Sequence, residues 1–533
     1  MADGVEMRHR GVPDSMPSTT GPKSENPTQN DLDAWALARA GKRQQLKRNF
    51  GTVSVVAFTC TILASWEAVA SSFNAGLING GPSSLVYGYL LSWVGILAVT
   101  ASMAELASIS PTAGAQYHWV AQFAPEKWSA PLSFFAGWLL VIGWSSGCSA
   151  ASSLAATEIQ GLIALNNPDY VPQRWQASLL YWGILIAGGL INVYGIRILP
   201  YLESAALVLH VAFFFILIVP LVYLAPQSAN HYVFATFDND SGWDNNGVSW
   251  LIGLTTSLFA LSGIDCACHI SEEVQNASKV VPRAMMYTML LDGALAFGFL
   301  LVLLYSIGDV NSVLGTPTGY PVIQIFYNTT GSLAATNAMT ALVISGVCFA
   351  ILGQLAAASR VTWAFSRDGG IPFSKYFAHV DPKRAVPHRA VTLIVCLSFL
   401  WGLINLGSTT AFSAVISFTT SVLNISYITP IIVIALRRMG PKPVPWGPWR
   451  LGRFGLAINC VAIAFVAFTS VFLFFPTYQP VTPVNMNYAS LLFGAALIFA
   501  LLCWMVYGRK NYHGPLREIQ AQDFPVRLWN SSL

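Results

Sequence analysis

Twelve stretches of roughly twenty apolar residues run through the 533-residue chain, and nothing else in the sequence limits its fold as strongly. They lie near 52–73, 84–107, 131–160, 177–196, 202–224, 249–270, 286–308, 335–364, 388–406, 411–436, 455–475 and 488–508. At a rise of about 1.5 Å per residue, each reaches across a hydrocarbon core about 30 Å thick. Backbone in lipid finds no water to bond, so such runs must be helices. A barrel would show short alternating segments instead. Composition agrees: 54% of residues are apolar and 10% charged, against roughly 25% charged in a soluble domain. A charged shell that thin excludes a cytosolic enzyme, a coiled coil and a disulfide-stapled secreted protein. The net charge of +4 is too small to imply nucleic acid. The expected fold class is therefore an all-α polytopic membrane protein with twelve transmembrane helices.

Charge placement tests the count. With the N-terminus inside, every Lys and Arg except Arg174 falls in the N-terminal segment, an inner loop or the C-terminal tail. The positive-inside rule asks for this asymmetry, and a miscounted span would scramble it. Both termini are thus expected to be cytoplasmic. Asp238, Asp240, Asp244 and Asp309 fall outside, as do two sequons, at Asn239 and Asn328, which are glycosylation candidates. Residues 1–49 carry no apolar run and no secretory signal pattern, because the first apolar stretch comes too late and is too long. They are expected to form a disordered cytoplasmic tail ending in a short basic helix from Asp31 to Arg48. The remaining segments are a ten-span core over 50–436 (spans 1–5 and 6–10), two further spans over 437–508, and a cytoplasmic C-terminal tail over 509–533. The eight cysteines lie in apolar stretches without metal-ligand spacing, and are expected to be buried free thiols.

Loops this small leave no room for a soluble catalytic domain, so the chemistry must lie within the membrane. Ionisable residues there are costly and face a cavity or a partner. Glu67 sits deep in span 1, within Ala64-Ser65-Trp66-Glu67-Ala68, too deep to snorkel. A substrate or proton role, a structural hydrogen bond to another helix, and a misplaced span edge all remain open for it. Trp66 offers a cation–π face or simple packing. Span 6 carries Ser262-Gly263 at mid-span, followed by Asp265. Spans 1 and 6 thus share a polar interruption near the bilayer centre, and occupy corresponding places if the fold is two repeats of five. That pattern points to a substrate site between inverted repeats. Glu105 is expected to pair with a base or a backbone amide at the inner end of span 2. Glu203 lies near the inner end of span 5. His210, deeper in that span, is either a proton carrier or a hydrogen-bonded structural residue. Glu158 is placed toward the outer end of span 3, and Asp292 is expected to make a contact on the cytoplasmic side of span 7.

The inner loops carry a resemblance. Ala104-Glu105-Leu106 with Ser110-Pro111-Thr112-Ala113-Gly114-Ala115-Gln116-Tyr117 resembles the span 2–3 signature of the amino acid–polyamine–organocation permeases. So do Ser271-Glu272-Glu273-Val274 with Val281-Pro282-Arg283-Ala284, and Arg360 with Ala364-Phe365-Ser366-Arg367-Asp368-Gly369-Gly370-Ile371-Pro372. Gly76-Leu77-Ile78-Asn79-Gly80-Gly81-Pro82, with Phe234-Ala235-Thr236-Phe237, is similar to the fungal amino acid/choline transporter branch, which includes choline and GABA permeases.

The resemblance implies a LeuT-like 5+5 inverted repeat plus two extra helices. It implies a secondary transporter of the plasma membrane that imports choline, GABA or another amino acid at a midplane site by alternating access, coupled to protons. Free amides of span 1 would face a carboxylate and free carbonyls of span 6 an ammonium. Carried onto this chain, the substrate-binding positions are Ser65, Trp66, Glu67, Phe259, Ser262 and Gly263, with Phe259 as an aromatic lid. The chain departs from the pattern where Ser65-Trp66-Glu67 replaces the Gly-Ser-Gly type motif; an acid beside a Trp suits a cation such as choline at least as well. Glu67 and His210 are the proton-coupling candidates, and Glu105, Arg283 and Arg367 the cytoplasmic gate candidates. No catalytic residue, cofactor or metal is expected; the partners are a small amine or amino acid, the lipid bilayer and protons. The rival readings are a permease-like nutrient sensor, which should show a long cytoplasmic extension, a membrane enzyme, which needs a catalytic cluster, and a channel, which needs a repeated pore motif.

Overall fold

The structure is a computed structural model that describes residues 41–515, except 196, 383 and 384, together with Asp33 and Leu37. The chain is a polytopic helical bundle. Eleven helical stretches among the described residues are long and apolar enough to cross a membrane. The first is made of α1 (Thr52–Leu63) and α2 (Ser65–Ile78), which meet at a break. α3 (Gly81–Ile109), the short α4 (Ala115–Phe123), α5 (Glu126–Asn166), α6 (Arg174–Tyr194) and α7 (Leu199–Leu224) follow. The run expected at 249–270 is missing from the eleven because its backbone is in pieces. These are α8 (Asn246–Gly253), α9 (Thr255–Ala260) and α10 (Cys266–His269). α11 (Ala277–Tyr305), α12 (Leu333–Arg367), α13 (His388–Gly407), α14 (Thr409–Met439), α15 (Gly455–Phe472) and α16 (Ala489–Cys503) complete the bundle.

Both breaks have a backbone cause. Ala64 takes φ 42° and ψ 47°, a left-handed conformation that costs an L-residue about 1–2 kcal/mol and ends α1. Gly263 takes φ +102°, open to glycine because it lacks Cβ, and separates α9 from α10. The polar interruptions read in spans 1 and 6 are therefore real discontinuities.

Small residues let the helices approach closely, as expected where lipid offers no hydrophobic drive. A Cβ on Gly293 of α11 would meet the Trp93 ring of α3 at 2.0 Å. One on Gly346 of α12 would meet Glu67 Oε1 at 2.5 Å. Helix α7 shows the division of faces: Val208, Phe215 and Val219 are exposed, while Glu203, His210 and Phe214 are buried. Its apolar side faces outward and its ionisable side faces the bundle.

Two expectations change here. The basic helix expected from Asp31 to Arg48 is not formed over 42–48, which is extended chain. Those residues are pinned instead: Lys42, Leu46 and Phe50 are buried, Phe50 N–H donates to Glu273 O at 3.1 Å, and Gln275 N–H donates to Phe50 O at 3.1 Å. The rest of the expected tail, apart from Asp33, Leu37 and Gly41, lies outside the described residues, as does the C-terminal tail beyond 515. Of the eight thiols, all free, Cys396 and Cys460 are exposed rather than buried, on helices with outward-facing apolar sides.

Candidate functional site

The two broken helices face a cleft. Its walls include Ala64, Ala68 and Ser71 of the first helix, Trp144 of α5, and Phe259 and Gly263 at the second break. Ser262, Gln354 and Thr419 complete its polar lining. The spacing 64, 68, 71 is one helical face, i, i+4 and i+7. It turns Trp66 and Glu67 away from the cleft. Trp66 packs instead on Phe299, His210 and Phe214, with ring centroids 5.0, 5.7 and 6.5 Å away. Ser65 is buried and its hydroxyl has no partner. Of the six substrate-binding candidates, Phe259, Ser262 and Gly263 line the cleft with their own atoms. Ser65, Trp66 and Glu67 do not line it; α2 starts at Ser65 with no side-chain cap, which leaves its first amides without a capping hydrogen bond.

Behind α2, Glu67 meets His210. Glu67 Oε1 lies 2.8 Å from His210 Nδ1, and His210 Nε2 lies 3.7 Å from Asp292 Oδ1. All three side chains are buried. Asp292 is thus near the middle of α11 and inside the bundle, not at its cytoplasmic side, because the helix begins at Ala277, earlier than the apolar run suggested. Glu203 accepts a hydrogen bond from Thr61 Oγ1. Glu158 accepts one from Ser71 Oγ at 2.5 Å.

At the second break a different acid is saturated. Asp265 Oδ1 accepts from Tyr427 Oη at 2.7 Å, and Tyr427 Oη in turn accepts from Gly263 N–H at 3.2 Å. Asp265 Oδ2 accepts from Gln116 Nε2 at 2.7 Å and from Trp144 Nε1 at 3.1 Å. His269 Nε2 stands 3.0 Å from the same oxygen, and its Nδ1 stands 2.9 Å from Ala113 O. Both ring nitrogens face acceptors, an arrangement that calls for N–H on each. The unwound segment is thereby tied to α4, α5 and α14.

Beyond it the basic end of the bundle is closed by ion pairs. Arg367 donates twice to Glu272, at 2.8 and 2.9 Å, and its guanidinium stacks 4.4 Å from the Trp363 ring. Glu272 also accepts from Ala113 N–H at 3.2 Å. Arg360 Nε donates to Glu273 at 2.8 Å. Lys42 bonds to Asp368, which also accepts from Tyr117 Oη at 2.8 Å. Burial alone pushes the Glu272 carboxyl up, but Arg367 and its hydrogen bonds overcome this and hold it below its ordinary 4.5.

The three gate candidates are not one cluster. Arg367 is in this seal. Glu105 is held elsewhere, by Arg438 and by Leu451 N–H at 2.8 Å. Arg283 is exposed, because it falls on the outward face of the first turns of α11. Of the sequons, Asn328 is exposed, while Asn239 is half-buried and its amide donates to Trp243 O at 2.7 Å.

Sequence reasoning missed Trp144, Gln116 and Tyr427. Trp144 had a signal: it stands in Gly143-Trp144-Ser145-Ser146-Gly147, a large ring set among small residues at mid-span.

Residues 50–498 match the family described as amino acid permease. The chain belongs to the amino acid permease family. This permease is 30% identical over 487 residues to a choline transporter of Saccharomyces cerevisiae, covering 91% of this chain and 86% of that one. It is 31% identical over 537 residues to amino-acid permease 2 of Neurospora crassa, covering 98% and 96%. Against amino-acid permease BAT1 of Arabidopsis thaliana it is 30% identical over 501 residues, covering 91% and 96%. It is a multi-pass membrane transporter of amino acid or choline type, and not an enzyme.

Proposed function

We propose that this permease imports a small amine-bearing solute, choline, GABA or another amino acid, across the plasma membrane by proton-coupled alternating access. The observation that carries the reading is the pair of backbone breaks, at Ala64 and Gly263, opening on one cleft. Counting the pieces over 246–269 as one interrupted crossing gives twelve spans, with the breaks in the first and sixth. That is the place a 5+5 inverted repeat would put them, with both termini and the basic end in the cytoplasm.

The N-terminal amides of α2 carry the positive end of a helix dipole and suit a carboxylate. Trp144 and Phe259 offer aromatic faces to an ammonium. Glu67 and His210 serve as the proton-coupling pair, supported by their 2.8 Å contact and complete burial beside the broken helix. Solute binding in the cleft moves α2, and that movement alters the contact on its far side. Arg367 and Glu272 form the cytoplasmic latch, a role supported by their paired hydrogen bonds. Arg283 has no part in it.

Radiolabelled uptake in a yeast lacking its own permeases, with choline, GABA and an amino acid panel, tests the reading. At least one solute should accumulate in the wild type, more strongly at acid outside pH. Glu67→Gln should flatten that pH dependence. If it leaves both uptake and pH profile unchanged, the proton role of Glu67 is lost.

A further inference from the structure

The groups behind α2 do not balance in charge. Glu67 and Asp292 are two carboxylates, and His210 is the one base between them. Among the described residues no Lys or Arg lies within ion-pair distance of either acid. The other polar groups around the cluster bring no cation among the described residues. Cys60 Sγ of α1 donates to Thr288 of α11 at 3.4 Å. Tyr89 Oη of α3 donates to Gly293 O at 3.1 Å. Glu203 of α7 accepts from Thr61 and Glu158 of α5 from Ser71, each with its second carboxylate oxygen buried and without a hydrogen-bond partner among the described residues. α12 contributes Gly346, whose missing side chain leaves the space Glu67 fills.

One proton on the imidazole still leaves a net negative charge in a dry interior. An isolated buried charge is far costlier than a neutral acid, and two carboxylates near each other do not both stay ionised readily. A second proton, carried on either carboxyl, makes the cluster neutral. The hydrogen-bond inventory shows where it fits. Glu67 Oε2, His210 Nε2 and both oxygens of Asp292 are buried with no hydrogen-bond partner among the described residues, the 3.7 Å approach of His210 to Asp292 being too long for one. Asp265, by contrast, has four donors.

From this geometry we infer that Asp292 is the third member of a proton site with Glu67 and His210, and that the site exchanges one proton beyond the one on the imidazole. His210 of α7 stands between α2 and α11, with Nδ1 2.8 Å from Glu67 and Nε2 3.7 Å from Asp292, so the proton site joins a helix that is broken at the substrate cleft to one that is not. The proton arrives on a carboxylate oxygen as the site goes neutral, and leaves as a hydron when the Glu67–His210 contact opens, restoring the single negative charge. Its link to solute movement rests on the transport reading above; the proton site itself does not.

The test uses the full-length protein in lipid. Infrared difference spectra between acid and alkaline pH read the carbonyl band of protonated carboxylic acids. The wild type should show a band to which this cluster contributes about one titrating group, beside any contribution from Glu158 and Glu203, which are buried without a base. Asp292→Asn and Glu67→Gln should each lose that one group's worth of intensity, since either leaves one acid matched to one base. His210→Gln should enlarge it, since two acids then have no base. The unfolding temperature of each variant identifies any that has failed to fold, and the three variants stand independently. A titrating band that survives unchanged in Asp292→Asn overturns the assignment. In proteoliposomes with an imposed proton gradient, offered choline, GABA and the amino acid panel, Asp292→Asn should keep solute exchange but lose at least ten-fold in gradient-driven accumulation. If the infrared changes occur and no solute is accumulated by the wild type, the proton site stands and the transport reading falls.

Discussion

Two buried acid–histidine sites stand one beside each helix break, and they are built to different ends. At Asp265 and His269 every hydrogen-bonding position is taken: four donors converge on the carboxylate, and both ring nitrogens have acceptors. At Glu67, His210 and Asp292 there is one short contact, one approach too long for a hydrogen bond, and four atoms with no hydrogen-bond partner among the described residues. The residue types are the same; the saturation is not. A filled site fixes backbone, as Asp265 does for the unwound segment through Tyr427 and Gly263. An underfilled site in a dry interior retains room to gain or lose a proton. The ion pairs at the basic end belong with the first kind, because Glu272 is matched by Arg367 and Glu273 by Arg360.

The largest effect is expected from removing a partner in the saturated region. Arg367→Ala leaves Glu272 charged and buried, which should destabilise the fold by about 3–5 kcal/mol, seen as a large fall in unfolding temperature. The same contact has a pH sign. The folded carboxyl sits below its ordinary value, so its contribution is fully present above pH 4.5 and is lost as pH falls through the lower folded value. An unfolding temperature insensitive to acid across that window would remove Glu272 from the seal.

Next is Tyr427→Phe, which takes one donor from Asp265 and the acceptor from Gly263 N–H. It should cost about 1–3 kcal/mol and weaken solute affinity without altering the carboxylic acid band of the Glu67 cluster. A changed band would show that the two sites are not separate. The smallest effect belongs to Arg283→Ala. That side chain is exposed and outside both regions, so stability should move by no more than about 0.5 kcal/mol, and uptake should be unchanged. A marked loss of uptake would restore it to the gate.

Sequence was informative wherever a physical constraint is local. Run length gave the helices, and Ser262-Gly263 flagged a break because glycine alone tolerates φ +102° there. The break at Ala64 carries no residue signal of its own; the polar group beside it marked the place. The direction in which residues point was harder. Ser65, Trp66 and Glu67 adjoin the break, but the i, i+4, i+7 face that lines the cleft is 64, 68 and 71. His210 and Asp292 were visible one at a time, and their meeting depends on how α2, α7 and α11 pack, which no local pattern encodes. Arg283 shows the converse: a family-like loop motif supplied the residue, and the helix phase turned it outward.

The extended segment ahead of the first helix has a mechanical consequence. Residues 42–50 are stitched to the chain on the basic side of the second break: Lys42 to Asp368, Gln44 to the Glu272 carbonyl, Arg48 to the Val274 carbonyl, and Phe50 into a short parallel bridge with Val274. A rocking motion that parted α1 from α12 at this end would have to peel that seam open. Under the alternating access proposed above, the amino-terminal segment would be coupled to that motion like a thread sewn across a hinge, and tension on it would reach the contacts it crosses.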